Sequence, residues 1–481
     1  MQTTISFILD GTIVALDFNS ASQITPTTTI LNYLRNLPNH KGVKEGCAEG
    51  DCGACTVVIG ELSTDNRIHY RSIDSCLIFL PMLHGKQLVT VENLQNKNGQ
   101  LHTIQSAMVE TGGSQCGFCT PGIIMSMFSL YKNNNMPTRE QIDDAITGNL
   151  CRCTGYKPIV EAAAHACVHD GIDHFTDQEP AIVELLKSIQ HESIYIKTKE
   201  QEYFRPNNLK EALSLKKKYP DAIIISGSTD VALRVTKGHE VLAQLIDLSS
   251  VHELHSLQET ADTLTLGAGI ILSEVHQAVK INFPALYEII SVFGSQQIRN
   301  VATLGGNLGT SSPISDTLPV LMAYNATIIL QSVNAKRELS MDDFILGYRK
   351  TARKPDELIT AVRLPKSQDG SIVKSYKISK RKDLDISTVS AGFRLELNSN
   401  NRVKKIILSY GGMADCIKRS STAEQFLVGK PWSRQVLEEA MQLIERDFLP
   451  ISDARGSAEF RTIAAKNLLF KFWYETINDK Q

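Results

Sequence analysis

The sequence predicts a multidomain α+β chain, and three observations lead to it. At 481 residues it has room for about three domains of the usual size. Its cysteines gather in two sets, one among strand-like patterns and one among helical patterns. Behind them, from about residue 199, strand signals broken by runs of Gly, Ser, Thr and Asn lead to two closing amphipathic helices. With 42% hydrophobic and 21% charged residues the composition is that of a globular protein with full cores. Fifty Lys and Arg against 52 Asp and Glu leave a net charge of −2, which argues against an electrostatic binder of nucleic acid or of an anionic membrane surface.

The start, Met1-Gln2-Thr3-Thr4-Ile5-Ser6, lacks a basic segment followed by an apolar core, so no secretory leader is expected. No apolar run approaches the ~18 residues a transmembrane helix needs. Ten cysteines outside a secreted context read as metal ligands rather than as a disulfide framework, which places the chain in the cytoplasm.

Residues 1–93 form the first expected domain. Ile5 to Phe18 alternates apolar and polar residues about Asp10-Gly11, a hairpin signal. Threonines precede the apolar spacing of Ile30-Leu31-Asn32-Tyr33-Leu34, which suits a short capped helix. Strands are expected at Thr56-Val57-Val58-Ile59 and Gln87-Leu88-Val89-Thr90-Val91. Between them Cys47, Cys52 and Cys55, with Cys76 twenty residues further on, follow the plant-type spacing for a [2Fe–2S] cluster. Gly46, Gly50 and Gly53 give such a loop the backbone freedom to curl around metal. Zinc sites more often pair two C-x2-C units. Hairpin, helix, cluster loop and closing strands together look like a β-grasp ferredoxin.

Residues 94–169 are expected to be helical. Cys116 and Cys119 form a C-x2-C pair, and Thr120-Pro121 has the form of an N-cap followed by N1. An apolar helix from Ile123 to Tyr131 follows, and Thr138-Arg139-Glu140-Gln141 has the form of a capping box for a helix ending near Gly148. Cys151 and Cys153 form a C-x-C pair, and Pro158 opens one more helix. The two pairs meet if the intervening helices form an antiparallel hairpin, and a positive helix N-terminus beside them would favour thiolate. On spacing alone this second set fits zinc as well as iron–sulfur. His165, His169 and His174 lack acidic or cysteine companions in register, and Cys167 and Cys416 read as buried cysteines. Residues 170–198 read as a linker.

Residues 199–375 begin with a helix from Leu209 to Tyr219 and a strand at Ala222-Ile223-Ile224-Ile225. That strand runs into Ser226-Gly227-Ser228-Thr229-Asp230, a turn able to cradle phosphate. No G-x-G-x-x-G fingerprint is present, against a Rossmann dinucleotide fold. The run Phe293 to Asp316 is too rich in Gly, Ser, Thr and Asn to serve a core and reads as a phosphate-lined site. From about 376 to 481, strands at Thr388 to Leu397 and Val403 to Tyr410 precede helices at Arg434 to Asp447 and Glu459 to Tyr474. No nucleophile–His–acid set and no paired catalytic carboxylates stand out, so the chemistry points to cofactors.

The motifs QCGFCTPG (115–122) and NLCRCTGY (149–156) resemble the second [2Fe–2S] domain of the molybdenum hydroxylases, the family of xanthine dehydrogenases and aldehyde oxidases. GCAEGDCGAC (46–55) is similar to that family's first cluster domain, and FGSQQIRNVATLGGNLGTSSPISD (293–316) to its flavin domain. The resemblance implies two [2Fe–2S] clusters, held by Cys47, Cys52, Cys55 and Cys76 and by Cys116, Cys119, Cys151 and Cys153. It also implies an FAD-binding α+β domain of two subdomains and a small C-terminal α+β domain closing over the flavin. Carried over position by position, Ile224, Ile225, Ser226, Gly227, Ser228, Thr229, Asp230 and Val231 form the first phosphate loop. Phe293, Thr303, Gly305, Gly306, Asn307 and Asp316 line the rest, and Ile359 and Lys377 contact the flavin. Tyr348 and Asp383 fall where the family receives nicotinamide or screens the flavin face, and Lys377 and Asp383 are the candidates beside the reacting ring.

The family implies a partner subunit holding the molybdenum cofactor, contacted near Gln115, in a heterotetramer or larger assembly. Electrons from purine hydroxylation pass there through the 116/119/151/153 cluster, the 47/52/55/76 cluster and FAD to NAD⁺. The fused order, clusters then flavin, favours the xanthine dehydrogenase branch. The same chain of centres also serves aldehyde or N-heterocycle hydroxylases, and a zinc-binding scaffold without flavin is the contrasting class. Asp51 stands where the family often has glycine, and its charge is expected to lower the potential of the nearby cluster.

Overall fold

The computed structural model describes residues 3–19, 24–96, 98–168, 172–189, 192–366 and 370–478. The chain divides into two compact units. The first comprises Met1–Leu215, Asp221–Val251 and Ser295–Ala302; the second comprises Lys216–Pro220, His252–Gly294 and Thr303–Gln481.

The first unit opens with the expected hairpin, Thr4–Leu9 paired antiparallel to Thr12–Asp17. Asp10 (φ 54°) and Gly11 (φ 72°) both take the left-handed conformation that a two-residue turn of this twist demands. Gln87–Val89 lies parallel to Thr4–Leu9 and antiparallel to Thr56–Leu62, which pairs outward with Ile68–Asp74. The result is a five-stranded mixed sheet. The helix Ile30–Asn36, capped by Thr29, buries Ile30, Leu31, Tyr33 and Leu34.

Helices Thr103–Glu110, Thr120–Asn133, Arg139–Ile146 and Lys157–Ala166 build the cysteine-bearing helical layer, and Thr138 with Gln141 closes the expected capping box. Residues 170–198, expected as a linker, carry the helix His174–Ser188 and the strand Ile194–Lys197. Asp173 caps this helix, which buries Phe175, Ile182, Val183 and Leu186. Phe175 packs against Phe128 with the rings tilted at 51° and 4.8 Å between centroids, so a sparse apolar stripe suffices where aromatic area is large. The unit is completed by a sheet in the order Ile194–Lys197, Glu202–Arg205, Gln244–Asp247, Ile223–Ile225, its last three strands parallel.

Among the described residues the second unit holds two larger antiparallel sheets and a two-stranded one, Ile345–Gly347 with Lys350–Thr351. One of the larger sheets has the order Leu257–Glu259, Thr263–Gly267, Leu358–Pro365, Thr327–Gln331, Lys336–Ser340. The other joins Ile372–Ile378, Val389–Leu397, Val403–Gly411 and Lys418–Arg419, and is backed by Ser421–Leu427, Arg434–Asp447 and Ala458–Asn478. The helix Thr317–Ala323 lies so close to Val389–Leu397 that a Cβ at Gly392 would stand 2.3 Å from the Pro319 carbonyl oxygen. The run expected as a phosphate-lined loop contributes the short helix Gln296–Arg299 to the first unit and Leu304–Thr310 to the second. Its Gly305 is tolerated in a helix because a Cβ there would meet Ala268 at 2.5 Å. Among the described residues no helix is long and apolar enough to cross a membrane.

Candidate functional site

Three left-handed residues, Ala48 (φ 56°), Gly50 (φ 81°) and Gly53 (φ 67°), curl the first cysteine loop inward. Gly46 serves differently from the expectation: its φ is not positive, but a Cβ there would lie 2.7 Å from Cys52 Sγ. The N–H groups of Glu49 and Asp51 both point to Cys47 Sγ at 3.4 Å. A hydrogen bond from Cys52, helped by these N–H groups, holds the Cys47 thiol down at about 5. The same bond pushes Cys52 up. Cys55 is raised by its hydrogen bond with Cys76 and by burial.

In the second set Cys116 meets Cys153 and Cys119 meets Cys151. Gly117 (φ 81°), Gly155 (φ 65°) and Tyr156 (φ 66°) turn the two loops toward each other. Tyr156 Oη accepts from the Cys151 N–H at 2.8 Å, and Thr154 Oγ1 lies 3.2 Å from Cys151 Sγ. The helix begins one residue earlier than expected, with Cys119 rather than Thr120 at the N-cap. Its N-terminus does not make Cys119 a thiolate: burial, with the neighbouring Cys151, pushes that thiol up to about 12. Cys116, bonded by the Phe118 N–H, is lowered. Burial works against Cys151, yet the Thr154 hydroxyl and nearby N–H groups bring it down to about 7.

Among the described residues no three His, Cys, Asp or Glu side chains converge on one ion position. The eight cysteines instead meet in twos, Cys47 with Cys52, Cys55 with Cys76, Cys116 with Cys153, and Cys119 with Cys151. Thiolates paired in this way fit a two-iron cluster, with two to each iron, better than a single tetrahedral zinc. His169 lies outside the described residues. His174 packs against Phe175 and His102, and burial lowers its pKa. Cys167 is buried as expected, and Cys416 is half-buried.

In the first unit, strand Ile223–Ile225 delivers the loop Ser226 to Asp230 ahead of the helix Val231–Thr236. Ser228 (φ 55°) is buried and donates to the Leu77 carbonyl. A Cβ at Gly227 would stand 1.9 Å from the Val301 carbonyl oxygen, so only glycine fits. Ser226 Oγ is buried without a protein partner, the condition of a hydroxyl kept for a ligand oxygen.

In the second unit, Thr303 caps Leu304–Thr310 by accepting from the Gly306 N–H at 3.1 Å. Asn307 Oδ1 accepts from Ser315 Oγ at 2.9 Å and from Thr317 Oγ1 at 2.5 Å. Lys377 Nζ reaches Asp316 Oδ2 and the Val292 carbonyl, each at 2.8 Å, while Ser387 donates to Asp316. Burial pushes the Asp316 carboxyl up against the pull of Lys377. Asp316, Lys377 and the backbone beside Phe293 are thus brought together, as is Asn307 with the start of the helix after Asp316. Beside them a cavity of about 380 Å³ is lined by Glu288, Val292, Ser375, Lys377, Ser379 and Lys382. Ser379 and Lys382 bring the basic stretch after Ser375 to this cavity. Ile359 is buried on its strand, Tyr348 is 65% exposed in a hairpin turn, and Asp383 stands in the turn before Val389–Leu397.

Comparison with known proteins matches four domain families. Residues 19–80 match a 2Fe-2S iron–sulfur cluster binding domain and 90–164 a [2Fe-2S] binding domain. Residues 197–367 match the FAD binding domain in molybdopterin dehydrogenase, and 374–476 the CO dehydrogenase flavoprotein C-terminal domain. The chain is 34% identical to xanthine dehydrogenase of Emericella nidulans, over 99% of its own length and 39% of the relative's. It is 33% identical to xanthine dehydrogenase/oxidase of Gallus gallus, over 94% of itself and 38% of that protein. It therefore spans about two fifths of the curated relatives it matches. Among solved structures, CO dehydrogenase from Oligotropha carboxidovorans aligns with a TM-score of 0.52 at 25% identity, over 57% of this chain and 96% of that one.

Proposed function

We propose, from the premise that the chain is homologous to the N-terminal part of xanthine dehydrogenases and carries the iron–sulfur, FAD-binding and flavoprotein C-terminal domains of the molybdenum hydroxylase family, that it moves electrons from purine hydroxylation on a partner subunit to NAD⁺. The observation that carries this reading is the meeting of two cysteine tetrads in twos, in one chain with a flavin-type domain. Bound there, two [2Fe–2S] clusters supply one-electron transfers and FAD the exchange between one-electron and two-electron chemistry.

The residues then have separate tasks. Cys47, Cys52, Cys55 and Cys76 hold one cluster, and the N–H groups of Glu49 and Asp51 stabilise negative charge on Cys47 sulfur. Cys116, Cys119, Cys151 and Cys153 hold the other. Gln115, Cys116, Phe118 and Cys153 are exposed, a rim suited to a partner that brings the molybdenum cofactor. Ser226 and Gly227 receive phosphate oxygens. Lys377 fixes the Asp316 carboxylate, and Tyr348 and Asp383 stand where nicotinamide arrives.

Similarity over 99% of this chain to the xanthine dehydrogenase of Emericella nidulans supports the xanthine dehydrogenase branch, while aldehyde and N-heterocycle hydroxylases use the same electron chain and choose their substrate on the partner. The test is an anaerobic visible spectrum of the native complex purified through this chain. Xanthine should bleach it and NAD⁺ should restore the colour; bleaching by NADH alone would move the substrate to a sibling enzyme.

A further inference from the structure

Lys44 belongs to the first cysteine loop by its backbone and to the second by its side chain. Its N–H donates to the Ala54 carbonyl oxygen at 3.1 Å, beside Cys55. Its Nζ donates to the Gly117 carbonyl oxygen at 3.1 Å and to that of Phe118 at 3.4 Å, inside the turn between Cys116 and Cys119. The same ammonium stands 5.4 Å from the centre of the Phe118 ring, within cation–π range. Among the described residues no carboxylate pairs with Lys44, so its charge is directed at this turn. The lysine at the other loop differs: Lys237 reaches the Cys47 carbonyl at 3.2 Å, but Glu49 at 3.4 Å offsets its charge.

The Gly117 carbonyl and the Phe118 N–H belong to one peptide group. In a planar trans peptide these two bonds point in opposite directions. The Phe118 N–H donates to Cys116 Sγ and lowers that thiol's pKa. Gly117 (φ 81°) takes without strain the left-handed conformation that turns this N–H back onto the sulfur. A cation at the carbonyl end polarises the amide and makes its N–H a stronger donor. Lys44, the peptide between 117 and 118, and the Cys116 sulfur therefore form one chain, with an ammonium at one end and a thiolate ligand at the other.

We propose that Lys44 is a positioning residue that raises the reduction potential of the centre held by Cys116, Cys119, Cys151 and Cys153, acting through the peptide between 117 and 118. The proposal rests on the electron-transfer reading above. One-electron reduction adds one negative charge to that centre, with no proton in the step. A stronger donor to its sulfur and a cation close behind it both favour the reduced form. With Lys237 offset by Glu49, the effect falls on one centre of the two. An electron from the partner enters beside the exposed Cys116, so Lys44 makes the entry centre easier to reduce.

The test uses the holoprotein with Lys44→Met, which keeps an aliphatic stem and removes the ammonium, beside Lys44→Arg, which keeps charge and donors. EPR-monitored redox titration reads the potential of each cluster, and iron is counted in each variant. In Lys44→Met the reduction equilibrium of the Cys116 set should fall by about tenfold, the lower end of what losing an outer partner of a metal ligand costs. For one electron that is a potential lower by about 59 mV. The other cluster should keep its potential, and Lys44→Arg should recover most of the shift. An unchanged potential in Lys44→Met with both clusters intact overturns the role of Lys44, as does an equal shift of both clusters. Should Lys44→Met lose the cluster, Lys44→Gln takes its place, and loss there too makes Lys44 a folding contact and overturns the proposal. Absence of both [2Fe–2S] signals from the unmutated protein overturns the electron-transfer reading itself.

Discussion

Lys377 Nζ lies 2.8 Å from Asp316 Oδ2, and both side chains are nearly withdrawn from water, 5% and 8% exposed. The two residues are far apart in sequence and belong to the helix start after residue 315 and to strand Ile372–Ile378. Breaking such a pair from one side strands the other charge. Asp316→Asn is therefore expected to destabilise the second unit by about 3 kcal/mol, and Lys377→Met by a similar amount. The double variant should cost clearly less than the sum. Calorimetric unfolding of the four proteins checks this; strictly additive losses would mean the pair is not coupled.

The cysteine assignment predicts two separable metal losses. Cys52→Ser should remove about two of about four irons per chain and its EPR signal, and Cys119→Ser the other two. Iron analysis and EPR of both variants decide it. Zinc in place of iron, or loss of all iron in each variant, would contradict two independent clusters.

Ser226 and Gly227 should differ in how far their loss weakens FAD binding. Ser226→Ala deletes a buried unpaired hydroxyl, so the flavin-free chain should keep or gain up to about 1 kcal/mol of stability. Its FAD affinity should fall by about tenfold, the worth of one hydrogen bond to a charged group. Gly227→Ala should lose FAD outright, because its Cβ cannot coexist with the Val301 carbonyl. Equilibrium flavin binding measures both, and normal FAD affinity in Ser226→Ala would remove that hydroxyl from the site.

Asp173 ties the helix it caps to its surroundings and gives a pH signature. Burial raises its carboxyl, but His102 at 3.1 Å, Lys132 at 2.9 Å and the Thr176 N–H outweigh it and hold the group well below the usual carboxylate range. A depressed carboxylate stabilises the fold above its unfolded pKa and loses that effect as pH falls toward the folded value. Asp173→Asn should cost about 2 kcal/mol near neutrality, and the difference from the parent should shrink below about pH 4. A difference that stays constant down to strongly acid pH would contradict the pairing.

The sequence was most legible where chemistry is local. The Asp10-Gly11 turn, the Thr29 cap and the Thr138 capping box all act over a few residues, and each forms as expected. Strand Ile68–Asp74 and helix His174–Ser188 were missed, because their apolar content is modest and their burial comes from partners elsewhere, such as Phe128. The reach of Lys44 was illegible for the same reason: Gly117 is 73 residues away in sequence. The flavin-domain run was legible in composition but not in form, since packing of Gly305 against Ala268 sustains a helix that propensity disfavours.

The most direct measurement is an anaerobic reductive titration of the holo-chain, counting electrons while visible and EPR spectra are recorded. Two clusters taking one electron each and one FAD taking two predict about four electrons per chain, with two distinct [2Fe–2S] signals. A colourless chain, or one that takes two electrons or fewer, would contradict the account.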